Sequence, residues 1–354
     1  KGPSASSLYG TAAANGVIQV TTRRGQAGTQ QLRAWTEFGR LDRTADFPDN
    51  VSVLDSDGNA CPFVFQTEGI CTPATQEYRF NPVENGSVEP FETGSRQVVG
   101  ASVSGGSETA TFYVSGEYED EDGVFADLDG LRRYQLRTNL TGHVSDRFRV
   151  GANIGWLESD LALPQADNAL YGITGMSLFA DAYPEFVEST GGFEAPYAFF
   201  EDWKTFQDQN RFTGSVTGDF DANSWLRFNG VVGLDRTSRE EVNRLPQETA
   251  YSVFGSVYTN GFIQNYNSDI TNLTSSGNAT ALFNLSPDLV STTSLGTQWL
   301  REEFHRIYAF GAGLVPGVEE SLAGATSDYE AGEDNTLNST VSAYVQQQLA
   351  WRDR

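Results

Sequence analysis

Long apolar runs, basic charge and the residues of covalent chemistry are all scarce in this 354-residue chain. No apolar run approaches the length of a spanning helix and mean hydropathy is −0.39, which excludes a helical membrane protein. A membrane-spanning barrel stays open, because half of each of its strands faces a polar lumen and dilutes the hydropathy signal. Twenty-three Lys and Arg stand against 47 Asp and Glu, giving a net charge of −24, and the lysines are Lys1 and Lys204 alone. Phosphate binding needs a basic surface, so the balance argues against nucleic acid as a partner. It is compatible with acidic exposed loops, a saline habitat or cation binding, among which charge alone does not choose. The two histidines, His143 and His305, stand apart from any nucleophile motif, HExxH pair or second metal ligand. No G-x-S-x-G, Ser-x-x-Lys or P-loop occurs, so the residues point to no enzyme and imply no cofactor.

What is abundant suits strands and turns: 36 Gly, 12% aromatics, and many Ser, Thr and Asn. Two-residue alternation marks ten segments, near 32–43, 97–104, 109–120, 131–144, 148–158, 211–220, 225–236, 270–285, 289–302 and 337–351. The spacers alternate in length. Short turns fall at 105–108, 145–147, 221–224 and 286–288; long connections fall at 44–96, 159–210, 237–269 and 303–336, with a shorter one at 121–130. Outer-membrane barrels show this asymmetry, with tight periplasmic turns and long extracellular loops.

The faces agree. Phe148, Val150, Ala152, Ile154 and Trp156 oppose Arg149, Gly151, Asn153 and Gly155; Leu226, Phe228, Val232 and Leu234 oppose Arg227, Asn229 and Asp235. The apolar faces carry almost no charge and end in aromatics, as a lipid-facing band between aromatic girdles would. The expected fold is all-β, part of a transmembrane antiparallel up-and-down barrel, with about ten of its strands in this chain. A soluble sheet also alternates. A secreted glycan-binding protein or carbohydrate-active enzyme is the competing class, and it would turn the apolar faces inward on each other.

The opening residues 1–25, KGPSASSLYGTAAANGVIQVTTRRG, read as a turn, a short helical turn, a reversal at Asn15-Gly16 and a strand. Lys1, Gly2, Pro3, Leu8, Tyr9, Gly10, Ala14, Asn15, Gly16, Val17, Ile18, Val20, Thr21, Thr22 and Gly25 fit a pattern as they stand. That pattern resembles the end of the plug domain in TonB-dependent outer-membrane transporters of the SusC/RagA type. Ala13 and Gln19 depart from it mildly. Residues 102–140 are similar to the first hairpins after the plug in the same family.

The resemblance implies an organisation of plug end 1–25, linker 26–31, and barrel 32–354 in the outer membrane of a Gram-negative bacterium. Signal sequence, TonB-contacting segment and most of the plug would lie upstream, and the second half of a 22-strand barrel downstream. It implies import of an oligosaccharide or peptide, driven by the TonB complex, with a SusD-like surface lipoprotein as partner. Siderophore or cobalamin uptake belongs to sister branches. The acidic loops disfavour anionic cargo.

Four groups of residues are candidates for a site. Cys61 and Cys71 share the first long loop, and an outer-membrane loop folds in an oxidising compartment, which favours a disulfide over two free thiols. Asp120, Asp122, Asp127 and Asp129 are dense enough to suggest calcium, but they lack the twelve-residue loop with its terminal Glu, and a solvated loop is the plainer reading. Tyr171, Phe179, Tyr183 and Trp203 belong to an aromatic loop that either touches cargo or a lid, or packs on itself, the second being favoured. Glu117 and Glu119 alternate to the same side as Arg133 and Arg137, which suggests cross-strand pairing in the lumen.

Overall fold

The computed structural model describes residues 22–126, 128–165, 172–194, 197–248 and 255–352. The plug signature residues Gly2, Pro3, Tyr9, Gly10, Asn15 and Gly16, and also Asp127 and Tyr171, lie outside the described residues.

Among the described residues ten strands form one antiparallel sheet in which each barrel strand pairs with the next along the chain. They are β1 Gln30–Leu41, β4 Gly94–Gly106, β5 Ala110–Asp122, β6 Leu131–Ser145, β7 Phe148–Leu163, β8 Lys204–Asp221, β9 Leu226–Leu245, β10 Phe262–Ser286, β11 Leu289–Ala312 and β12 Ser327–Trp351. A separate hairpin, β2 Asn50–Asp55 with β3 Pro73–Phe80, stands in the first long connection. One cross-sheet row runs Phe148–Phe220–Phe228–Ala279–Leu295, from the first residue of β7 to the seventh of β11. The strands are therefore staggered and tilted, as closure into a barrel requires.

The aliphatic faces point away from the protein. Val216, Val232, Leu295, Val341 and Val345 are each more than half exposed and share one side of the sheet. A soluble sheet would hide this face; here the strand sequences present it to hydrocarbon. Aromatics close the band at both ends. Near the short turns Phe220 lies between Phe148 (6.3 Å) and Phe228 (6.4 Å), and Trp225 stacks on Phe283 (5.3 Å). At the far end Tyr118 meets Tyr134 at 5.0 Å. From Phe148 to Trp156 is about 26 Å along a tilted strand, the scale of a bilayer's apolar core.

All ten expected strands are present and in the expected order, but several run much further. The segment 262–269 continues β10, 303–312 continues β11 and 327–336 begins β12, where the sequence pattern had suggested loop. The reason is the change of solvent. Above the bilayer the outward positions turn polar, with Arg236 on Asp269 (3.3 Å), Arg301 on Glu303 (3.0 Å) and His305 on Glu333 (3.1 Å), so the alternation vanishes while the hydrogen-bonded ladder goes on. His305 thus sits within β11 rather than in a loop. β1 also begins two residues early, at Gln30, which shortens the expected linker.

Candidate functional site

The polar face of the sheet is the inner wall. Trp35, Gly100, Glu117 and Gln135 form one row across β1, β4, β5 and β6. A Cβ at Gly100 would come within 2.3 Å of the Trp35 ring, so glycine lets the indole lie across β4. From there its Nε1–H donates to Glu117 Oε2 at 3.0 Å. Tyr344 covers Gly296 and Tyr308 covers Gly332 in the same way.

Toward the outer end of the wall, Glu119 is 3% exposed and accepts from Arg96 at 2.6 Å and from Arg133. Arg96 also approaches Glu37 (3.3 Å) and Glu121 (3.4 Å). A carboxylate this buried needs such partners, since an unpaired one would be expelled or neutralised. The expected luminal pairing is therefore half right. Glu119 takes Arg133, whereas Glu117 is held by Trp35, and Arg137 has no acidic partner among the described residues.

The chain ahead of β1 lies on this wall. Asn139 Nδ2 donates to the Arg23 carbonyl at 2.6 Å, and a Cβ at Gly25 would stand 2.3 Å from the Gly105 and Phe112 carbonyl oxygens. Beside it opens a luminal cavity of about 1160 Å³, bordered by Thr22, Arg23, Trp35, Tyr113, Gln135 and Arg211.

The long connections build a crown over the opposite end from the short turns. Phe199, Met176, Leu245, Phe262 and Ala312 are buried together, with Trp203, Tyr258 and Phe310 packed around them. Trp203 is part of this core and donates its Nε1–H to Asn243 Oδ1 at 2.7 Å. Tyr183 packs on Phe186 at 5.7 Å, while Phe179 is 71% exposed. Of these three, only Phe179 stands ready to touch another molecule.

The hairpin β2–β3, which alternation did not reveal, is tied into the same crown. Asn50 Nδ2 donates to the Ser177 carbonyl (2.6 Å), Ser52 Oγ to Asp181 (2.8 Å), and the Ala182 N–H to Ser52 Oγ (2.8 Å). Its signal was the Asp-Ser-Asp-Gly-Asn turn at 55–59. There Asp55 Oδ1 accepts the N–H groups of Asp57 and Asn59, each at 2.9 Å. These bonds, Asn59's first, hold the Asp55 carboxyl below its usual range. Cys61 and Cys71 are bonded to each other just beyond the turn. Burial, then nearby Asp181, pushes the Glu194 carboxyl above its usual range.

The acidic run is spent locally. Asp120 accepts from the Tyr118 hydroxyl at 2.7 Å and faces Arg132 at 3.6 Å, and Asp122 lies 3.4 Å from the Ser95 hydroxyl. Among the described residues no three His, Cys, Asp or Glu are arranged to hold a metal ion. Asp129 borders a cleft beside Asp160 and Asp208 without forming such a group.

No protein-family model matches the chain. It is 30% identical over 188 residues to TonB-dependent receptor P3 of Formosa agariphila, an alignment covering 52% of this chain and 17% of the relative. Its fold superposes on the RagAB peptide transporter with a TM-score of 0.71 at 14% identity. That match covers 98% of this chain and 44% of the other. Against the RagAB peptide importer in the 'open-open' state the TM-score is 0.69 at 15% identity, over 99% of this chain and 43% of that one. The chain thus spans less than half the length of these relatives. A wall that is greasy outside, wet inside and entered by the preceding segment has the fold of the outer-membrane transporter barrels it superposes on, and its sequence is similar to that of a TonB-dependent receptor. The pattern of its first 25 residues resembles the SusC/RagA type, and the likeness of fold to RagAB agrees with that resemblance.

Proposed function

We propose that the full-length protein imports a nutrient across the outer membrane, with peptide or oligosaccharide as cargo. In this reading residues 1–25 end a plug, 26–29 link it to β1, and the barrel encloses the path that the plug stops. The TonB complex would pull on a segment upstream and rearrange the plug. A SusD-like surface lipoprotein would close over the crown. The barrel itself does no covalent chemistry; its residues position the plug and keep water and lipid on their proper sides. The observation that supports this most is the segment 22–25 held against the polar wall by Asn139, inside a sheet whose opposite face is apolar. The likeness to a transporter named for peptides favours peptide over sugar.

Uptake by cells carrying or lacking the full-length protein tests this, with defined peptide and oligosaccharide pools supplied. Depletion that requires the protein, TonB and the proton gradient is the expected result. Uptake indifferent to TonB would overturn the reading.

A further inference from the structure

Three glycines stand directly opposite one another in the sheet. Gly218 of β8 pairs with Gly230 of β9, which pairs with Gly277 of β10, and the row runs on to Thr297 of β11 and Ala343 of β12. Gly218 is two residues from Val216 and from Phe220, and Gly230 two from Phe228 and from Val232, so the row shares their outward, apolar face. Glycine weakens a strand by about 0.5–1 kcal/mol relative to alanine, and there it marks a bulge, a bend or the close approach of a ligand or another backbone. Neither bulge nor bend applies. The ladders run through all three without a shift of register, and none has a positive φ.

On the inner face the sheet uses glycine to seat its own rings, Trp35 on Gly100, Tyr344 on Gly296 and Tyr308 on Gly332. The outward row is different. A Cβ at Gly230 or Gly277 would meet only a backbone carbonyl oxygen, at 3.7 and 3.9 Å, and one at Gly218 only the edge of the Phe148 ring, at 3.7 Å. Nothing in the described chain therefore requires these positions to lack a side chain.

Together they form a groove of about 750 Å³, floored by the row and walled on the short-turn side by Phe220, Phe228 and Leu295. The one hydroxyl of its floor is spent, since Thr297 donates to the Ser342 carbonyl at 3.1 Å. Asn229 and Asn278 also border it, but their amides bond to each other at 3.3 Å on the inner face. Such a lining offers shape and dispersion contacts without hydrogen bonds, which suits an alkyl chain. Its height agrees. Gly218 lies three residues above the turn end of β8 and Ala343 eight above that of β12. At a lean of about 40° the groove climbs from roughly 8 to 21 Å above those ends. In an apolar core about 30 Å thick, its lower mouth opens within the leaflet on the short-turn side.

We propose that this groove is a lipid site, holding one alkyl chain of a lipid from that leaflet, which enters beside Gly218 and lies across Gly230 and Gly277. The groove is continuous with the face that the bilayer already covers, and it offers no polar atom to hold a protein partner in register. The inference depends on the membrane placement of the wall and not on the cargo.

The test uses the full-length protein in vesicles of phosphatidylethanolamine and phosphatidylglycerol doped with a lipid that bears a mid-chain diazirine. Irradiation and peptide mapping read where the chain inserts. In the wild type, label should concentrate on 216–220, 228–232 and 275–279, about fivefold above the outward face of β7 around Ile154, a ratio equal to roughly 1 kcal/mol. Gly218→Val with Gly230→Val and Gly277→Val should lower these segments to the Ile154 level and leave Ile154 unchanged. A Cβ has room at each position and Val suits a strand, so this variant should assemble. If it does not, Gly277→Val alone, with its closed barrel verified by heat-modifiable gel mobility, decides the same question. Even labelling over the whole outward face of the wild type would overturn the site, as would label that persists undiminished in the valine variant. Crosslinks from these segments to a second copy of the protein, in place of lipid, would give the groove to a protein neighbour and overturn it as well.

Discussion

Gly100 shows how one absent carbon orders the inner wall. Replacing it by Val would put atoms where the Trp35 ring lies and break the indole bond to Glu117. We expect Gly100→Val to lower the unfolding free energy of the full-length barrel by about 1–3 kcal/mol and to shift tryptophan emission. Gly142→Val is the control, because nothing lies within 4 Å of a Cβ there. Denaturant unfolding in detergent followed by fluorescence compares the two. At the same scale Glu194 sets a pH dependence. Its carboxyl is raised, so the folded crown binds that proton more readily than the unfolded chain does. The penalty is present above the raised folded value and fades as pH falls through it toward the unfolded value. Hydrogen exchange in 172–194 should therefore slow on acidification, and Glu194→Gln should slow it at pH 7 and flatten the dependence. Asp55 is shifted the opposite way, so its turn weakens only at lower pH, as its carboxyl protonates. Alternation told which residues share a face, but not which partner each would choose. Glu117 turned to Trp35 rather than to an arginine because only a glycine at 100 opens that route, and spacing does not encode it.

At the scale of elements, the strands were legible wherever lipid and lumen lie on opposite sides of them. Val232 sits mid-band on the outer face, 59% exposed, whereas Ser238 lies on the same face above the aromatic belt. Val232→Arg should cost about 2–4 kcal/mol of folding into vesicles, and Ser238→Arg close to nothing. Equal costs at both positions would contradict the placement of the band. The polar upper thirds of β10, β11 and β12 were not legible, because both of their faces meet water and the period-two signal has no apolar half. The hairpin β2–β3 was hidden for a related reason: it is short and is stabilised by a turn, a disulfide and contacts with another loop. Replacing Cys61 and Cys71 with Ser should free about 2–3 kcal/mol of local constraint, seen as faster exchange in 50–80 with no change in the barrel's midpoint.

For the whole molecule, β1 and β12 are the margins of the sheet and do not pair with each other among the described residues. Backbone groups left open at those margins in hydrocarbon would cost several kcal/mol each, so the wall needs neighbours on both sides to stand in a bilayer. The 354-residue chain alone should therefore form concentration-dependent oligomers in detergent, while a chain that also carries the proposed second half of the barrel should not; analytical ultracentrifugation separates these outcomes. The crown's core, built from Met176, Phe199, Leu245, Phe262 and Ala312, draws on three separate long connections of the chain. No local pattern could have announced that meeting.

The overshooting strands also set how far the wall stands clear of the membrane. Twenty-five residues of β12 extend about 80 Å, or roughly 60 Å of height at a 40° lean, against an oily girdle less than half as tall. The wall therefore rises well above the membrane, like the side of a turret. Phages, antibodies and grafted epitope tags would meet its charged flank, around Glu303 and Glu333, before any of them reached the mouth.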